Sequence, residues 1–144
     1  MTIFKLLFAF FWFQNFASAA EFGTFYFAKG NVTVIDINST QRPAKVGMKV
    51  YEGETIETQE DSSAKLVIFN RNVINILPKT KFKLVQMSNS ETDKNVNLNL
   101  IQGRIRSEVG EHYDNNSSKF EIRTLSAVIG VRGTRFIASY NPDL

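Results

Sequence analysis

Val96-Asn97-Leu98-Asn99-Leu100 alternates apolar and amide side chains without a break. In an extended chain a period of two places Val96, Leu98 and Leu100 on one face and the asparagines on the other. A helix would scatter the same residues around its circumference. The segment therefore reads as a β-strand with one dry face and one wet face.

Working outward, the same signature recurs. Lys81-Phe82-Lys83-Leu84 and Phe120-Glu121-Ile122-Arg123 are half-buried strands of the same kind. Leu66 to Phe69 is a continuous apolar run, expected to lie between two covered faces. Further runs rich in β-branched and aromatic residues, among them GTFYFAK, NVTVIDI, ETIET, NVINIL and RIRSEV, are separated by Gly, Asn, Asp and Ser. Lys29-Gly30-Asn31, Glu52-Gly53-Glu54, Asn70-Arg71-Asn72 and Gln102-Gly103-Arg104 carry residues suited to turns, and Pro78 closes the strand ending at Leu77. These features predict an all-β fold, a single domain of about ten to twelve short strands in stacked sheets, as a β-sandwich or a β-solenoid-like stack. No fixed repeat length emerges.

The first residues stand apart from this pattern. MTIFKLLFAFFWFQNFASAA holds Lys5 as its only charge, then an apolar run from Leu6 to Phe13, then small residues. That is the layout of a secretory signal peptide, and the run is shorter than the roughly 20 residues a membrane anchor needs. We expect residues 1–19 to be the signal peptide, cleaved after Ala19 or Ala20, and residues 20–144 to be the β domain, which then spans no membrane. Loss of Lys5 takes the net charge from +3 to +2. The chain has no cysteine, so no disulfide and no thiolate is available. Export without disulfides points to a periplasmic or secreted bacterial protein.

Catalysis finds little support. The only histidine, His112, lies in the polar loop Gly110 to Lys119, and no nucleophile motif accompanies it. Glu108, Glu111, His112 and Asp114 together are the nearest approach to a divalent-cation site, but their spacing matches no metal motif. We expect no catalytic residue, no metal and no cofactor. Lys79, Lys81 and Lys83 fall on one face if the segment is a strand, where lysines keep a sheet edge from aggregating. The nearly balanced charge argues against nucleic acid as a partner.

Near the end stands Thr124 to Phe136, TLSAVIGVRGTRF. A phosphate-cradling loop would lead into a helix, whereas Thr134 to Tyr140 is β-branched and aromatic. Gly130 and Gly133 thus read as turn, bulge or close-approach positions between strands. Arg132, between Val131 and Gly133, has five donors with which to bind loop carbonyls or a carboxylate and lock the last strands together.

These residues resemble the FecR-type periplasmic domain. Gly130, Val131, Arg132, Gly133, Thr134 and Phe136 match that family's Gly-Val-Arg-Gly-Thr-x-Phe ending, and Leu100-Ile101-Gln102-Gly103 resembles its leucine-x-x-glycine strand start. Upstream, Val46-Gly47, Tyr51 to Thr58, Ser63 to Phe69, Asn72 to Leu77 and Thr80 to Val85 follow in family order. Leu125 stands where the family usually has proline, and Asn70-Arg71-Asn72 where it usually has an Asp-Gly turn. Family regulators carry a cytoplasmic anti-sigma segment and a membrane helix before the domain. Here a signal peptide occupies that place, so signalling to a sigma factor is not implied. What the resemblance implies is a non-enzymatic exported β module that binds a protein partner in envelope signalling or scaffolding, or alternatively a glycan or cell-wall-binding module.

Overall fold

The computed structural model describes residues 19–110, 118–132 and 135–143. Among them every regular element is a strand, and no helix is long and apolar enough to cross a membrane. In chain order these are β1 (Glu21–Lys29), β2 (Val32–Ile35), β3 (Gln41–Pro43), β4 (Lys49–Tyr51), β5 (Thr55–Thr58) and β6 (Ser63–Ile68). They are followed by β7 (Asn72–Ile76), β8 (Thr80–Asn89), β9 (Lys94–Val109), β10 (Lys119–Arg123), β11 (Val128–Val131) and β12 (Arg135–Tyr140). The all-β single domain read from the sequence is present. Its strands make one curled, mainly antiparallel sheet, a half-barrel, in the order β3-β2-β5-β8-β9-β7-β6-β1-β4.

β9 makes the curl. Its first half pairs with β8 on one side and runs parallel to β10 on the other, and its second half pairs with β7 and β12. It therefore belongs to both halves of the sheet. Half A holds β4, β1, β6, β7 and β12, and half B holds β3, β2, β5, β8, β10 and β11. The expected turn at Gln102-Gly103-Arg104 is instead the bend inside this strand. Gly103 has the positive φ, 97°, that a turn glycine would have, but the ladder continues on both sides of it. Register shifts opposite, between Lys81 and Phe82, absorb the change of direction.

Two buried threonines fix the bend. Thr58 Oγ1 donates to the Leu77 carbonyl at 2.6 Å and accepts the Thr80 N–H at 3.0 Å. Thr80 Oγ1 accepts the Arg104 N–H at 3.0 Å and donates to the Arg104 carbonyl at 3.0 Å. These hydroxyls supply partners for backbone groups where the strand turns away from its neighbours and would otherwise strand them.

The inward faces form one cluster. Phe22, Phe25, Phe82 and Phe120, with Ile56, Leu66, Ile74, Leu84, Leu98 and Leu100 among others, are almost fully buried. Each such side chain contributes about 1.5–3 kcal/mol. With no disulfide in the chain, this packing is what opposes the entropy of ordering it. The Val96 to Leu100 stretch behaves as its alternation predicts, with its apolar residues buried and its asparagines turned outward.

Two further expectations need correction. Leu66 to Phe69 is not covered on both faces: β6 alternates strictly, with Lys65 and Val67 half-buried on the outer side, because half A has a wet outer surface. Lys79 does not share a strand face with Lys81 and Lys83. It sits in the turn before β8 with φ of 55°, and β8 is an interior strand between β5 and β9.

The turn Tyr51 to Glu54 is held on three sides. Gly53, at φ of 85°, donates to the Leu84 carbonyl at 2.7 Å, and the Leu84 N–H returns to the Glu54 carbonyl at 2.9 Å. The buried Glu54 carboxylate accepts both Arg42 guanidinium nitrogens, at 2.7 and 3.0 Å, and the Tyr51 N–H at 2.9 Å. A two-pronged pair of this kind ties β3 to the β4–β5 turn.

Candidate binding surfaces

The C-terminal signature forms an edge. Among the described residues β11 pairs with β10 alone, with Phe120 opposite Val131 and Arg123 opposite Val128. The hairpin between them closes with the Thr124 N–H on the Ala127 carbonyl at 2.8 Å, while Thr124 Oγ1 accepts the Ala127 N–H at 3.0 Å. Pairs alternate between bonded and non-bonded along an antiparallel ladder. Counting on from the bonded Thr124–Ala127 pair, Val128 and Gly130 turn their N–H and C=O groups away from β10, toward the open side.

The signature residues take different places around it. A Cβ added at Gly130 would meet nothing within 4 Å, so no atom of the described chain requires glycine there. Val131 is buried. Arg132 is exposed, and no hydrogen bond or ion pair joins its guanidinium to another described residue. Phe136 packs edge-on against Phe120 with ring centroids 6.3 Å apart, and this contact joins β12 to β10. Gly133 and Thr134 lie outside the described residues.

Edge strands differ in how they are guarded. β3 has three residues, ends in Pro43 and is clamped through Arg42; β4 has three and carries the Lys49–Glu21 pair at 2.8 Å. β12 begins with Arg135 beside Glu108 at 3.8 Å. Val128-Ile129-Gly130-Val131 has neither proline nor charge, the two usual devices that discourage pairing. Next to it Leu125, 90% exposed at the hairpin tip, and Val85, Ile101 and Tyr140 border a groove of about 590 Å³. Asn97 lines that groove, and its buried Oδ1 accepts no hydrogen bond from the described residues.

A second surface lies on the outer face of half A, where sequence reading singled out nothing. Between Phe25, opposite Leu66, and Phe27, opposite Lys65, β1 carries one unmatched residue, Tyr26. This bulge breaks the alternation, so Tyr26 and Phe27 both face outward, at 71% and 45% exposure. The signal was the aromatic run Phe25-Tyr26-Phe27, which period-two reading assigns alternately to the two faces.

The remaining candidates sort quickly. Ala19 and Ala20 are exposed ahead of β1, and residues 1–18 lie outside the described residues. So do Glu111, His112 and Asp114; Glu108 is on β9, shared between Arg106 at 3.9 Å and Arg135 at 3.8 Å. Among the described residues no three His, Cys, Asp or Glu side chains gather as metal ligands. Lys79 pairs with Glu60 at 2.7 Å and Lys81 with Glu57 at 3.3 Å. The Glu60 hydrogen bond and charge raise the Lys79 pKa and the reverse interaction lowers that of Glu60, both in open solvent.

No curated protein and no solved structure is significantly similar to the chain. The family described as FecR protein matches residues 54–143, from the clamped Glu54 through the β11 edge to the end of β12. The match starts after β4, although β1 to β4 belong to the same sheet and core. Covering more than half of the sequence and including the signature strand, it establishes that the chain belongs to the FecR protein family.

Proposed function

We propose that this FecR-family chain is a non-enzymatic, exported module that takes an extended segment of an envelope protein as an added strand on β11. The family acts generally in envelope signalling, as non-enzymatic regulators, and its domains are typically periplasmic. Strand addition draws affinity from backbone hydrogen bonds and specificity from pockets for alternate side chains. The outward N–H and C=O groups of Val128 and Gly130 are the first requirement. The groove beside Leu125 is the second. The carrying observation is that the family's signature strand is the unguarded edge.

The test uses a photo-crosslinker at Leu125 in the protein expressed in its own bacterium. The expected result is a discrete adduct with an envelope protein, absent in Gly130→Pro and retained in Gly130→Ala. Proline removes an N–H that faces away from β10, and a Cβ at this position meets no described atom within 4 Å, so the fold should stay intact. Absence of any adduct, or an adduct indifferent to Gly130→Pro, overturns the proposal.

A further inference from the structure

We infer that the outer face of half A is a second site, and that it binds an acidic polysaccharide by stacking a sugar ring on Tyr26 and pairing its carboxylate with Lys65. This does not rest on strand addition at β11; the residues lie on other strands and use side chains, not backbone.

The bulge is the first observation. In unbroken alternation Phe27, two residues after the inward-facing Phe25, would turn inward and add to the core. A bulge can be placed for twist alone, but twist does not require two successive aromatic rings in water. Bulges recur where a side chain is re-aimed toward a ligand. Tyr26 stands between two grooves, one of about 550 Å³ bordered by Thr24, Val67, Asn70 and Val73, the other of about 440 Å³ bordered by Phe27, Ser63, Asn75 and Pro78. Lys65 lines both.

The second observation is the row of side chains that register places across the sheet. Phe27 is opposite Lys65, Lys65 opposite Asn75, Asn75 opposite Arg106, and Arg106 opposite Ile137. At the strand spacing of about 4.8 Å, the row is roughly 19 Å long, enough for a short oligosaccharide. It runs from an aromatic platform over a cation, an amide and a second cation. A sugar has the matching chemistry, with C–H faces for the ring and hydroxyl edges for the amide.

Charge selects the class of sugar. Lys65, Arg104, Arg106 and Arg135 project from this face, and Glu108 is the one acid on β6, β7, β9 and β12. Glu108 is shared by Arg106 and Arg135, leaving Lys65 and Arg104 without an ion pair among the described residues. An unpaired lysine beside an exposed tyrosine complements a sugar that carries its own carboxylate, such as a uronate.

Calorimetric titration of the purified protein tests this with tetragalacturonate, with neutral chitotetraose and with a short poly-glutamate as a charge-only probe. Tetragalacturonate should bind best. Tyr26→Ala should weaken it about tenfold, in line with loss of one aromatic stacking contact, and Lys65→Gln should erase the preference over chitotetraose. Tyr26 is mostly exposed, so its removal should leave the unfolding midpoint unchanged, and Lys65→Gln gives an independent reading. The inference is overturned by no binding of either sugar, by equal affinity for both in the parent protein, by poly-glutamate binding as tightly, or by undiminished affinity in Tyr26→Ala.

Discussion

Replacing Gly103 with alanine should be among the most damaging single-methyl additions this domain can receive. The residue holds φ of 97°, and a Cβ there would lie 2.5 Å from the Lys79 carbonyl oxygen, from Thr80 Cα and from Thr80 Oγ1. Two of those three atoms are backbone, so no rotamer change relieves the clash. A non-glycine residue in this region costs about 1–3 kcal/mol by itself. Displacing Thr80 takes the acceptor from the Arg104 N–H, and a stranded buried donor adds about 1–3 kcal/mol. The sum, about 2–6 kcal/mol, is a large share of the roughly 5–15 kcal/mol that holds a domain together.

Urea unfolding followed by far-ultraviolet circular dichroism measures it. For a slope of about 2 kcal/mol per molar, the midpoint of Gly103→Ala should fall by about 2 M with the slope unchanged. Thr80→Ser, which keeps the hydroxyl, should fall much less, and Thr80→Val, which loses it, should fall between the two. A Gly103→Ala midpoint within about 0.3 M of the parent, about 0.6 kcal/mol at that slope, would refute the assignment of Gly103 as the bend that β9 cannot make otherwise.

Three further outcomes follow from the same contacts. Glu54→Ala removes a carboxylate that is 5% exposed and strands the Tyr51 N–H and the Arg42 guanidinium; because Arg42 is itself part-exposed, thermal unfolding should report a loss of about 2–3 kcal/mol, below that of a fully buried pair. Ser107→Ala deletes a fully buried hydroxyl whose Oγ has no hydrogen-bond partner, so it should leave stability equal or raise it by about 1 kcal/mol, and a clear loss in the same assay would contradict that. Glu60 titrates below its usual 4.5 because Lys79 donates to it, so the pair's small contribution is present above that value and fades as pH falls through the lowered folded-state pKa; carbon-detected NMR titration should show Glu60 returning to its ordinary range in Lys79→Gln.

Much of the fold was legible because alternation is local. Val96 to Leu100 announces its two faces by itself, and Lys81 to Leu84 and Phe120 to Arg123 do the same. Gly103 shows where local reading stops. Positive φ was legible from the glycine, but a turn and a bend within a ladder differ only in whether distant strands keep pairing, and here β7 and β12 do. The Leu66 to Phe69 run failed for a related reason: apolar residues on an outward face look like a second buried face until the sheet's neighbours are known. Arg132 was legible as a capable donor. Its direction was not, since that depends on where β11 ends relative to everything else. Phe27, Lys65, Asn75 and Arg106 come from four strands, and only the register brings them into one row.

The two proposed surfaces draw on what a one-core sheet leaves unused. Inward faces are spent on packing, so a ligand can reach only the outward side chains or the unpaired backbone of an edge. The chain guards β3 and β4 by brevity, proline and ion pairs while leaving β11 bare, and it turns an aromatic pair outward on β1 where alternation would have buried one of them. Each had a simple alternative, a charge at Gly130 to guard the edge or unbroken alternation in β1 to bury Phe27. β9 carries the load of each, since β10 and β11 hang from its first half and the Lys65–Asn75–Arg106 row ends on its second. Gly103 lies between the halves, so it sets the orientation of the edge relative to the outer face. A change there acts on both surfaces at once, whereas Tyr26 and Gly130 each belong to one.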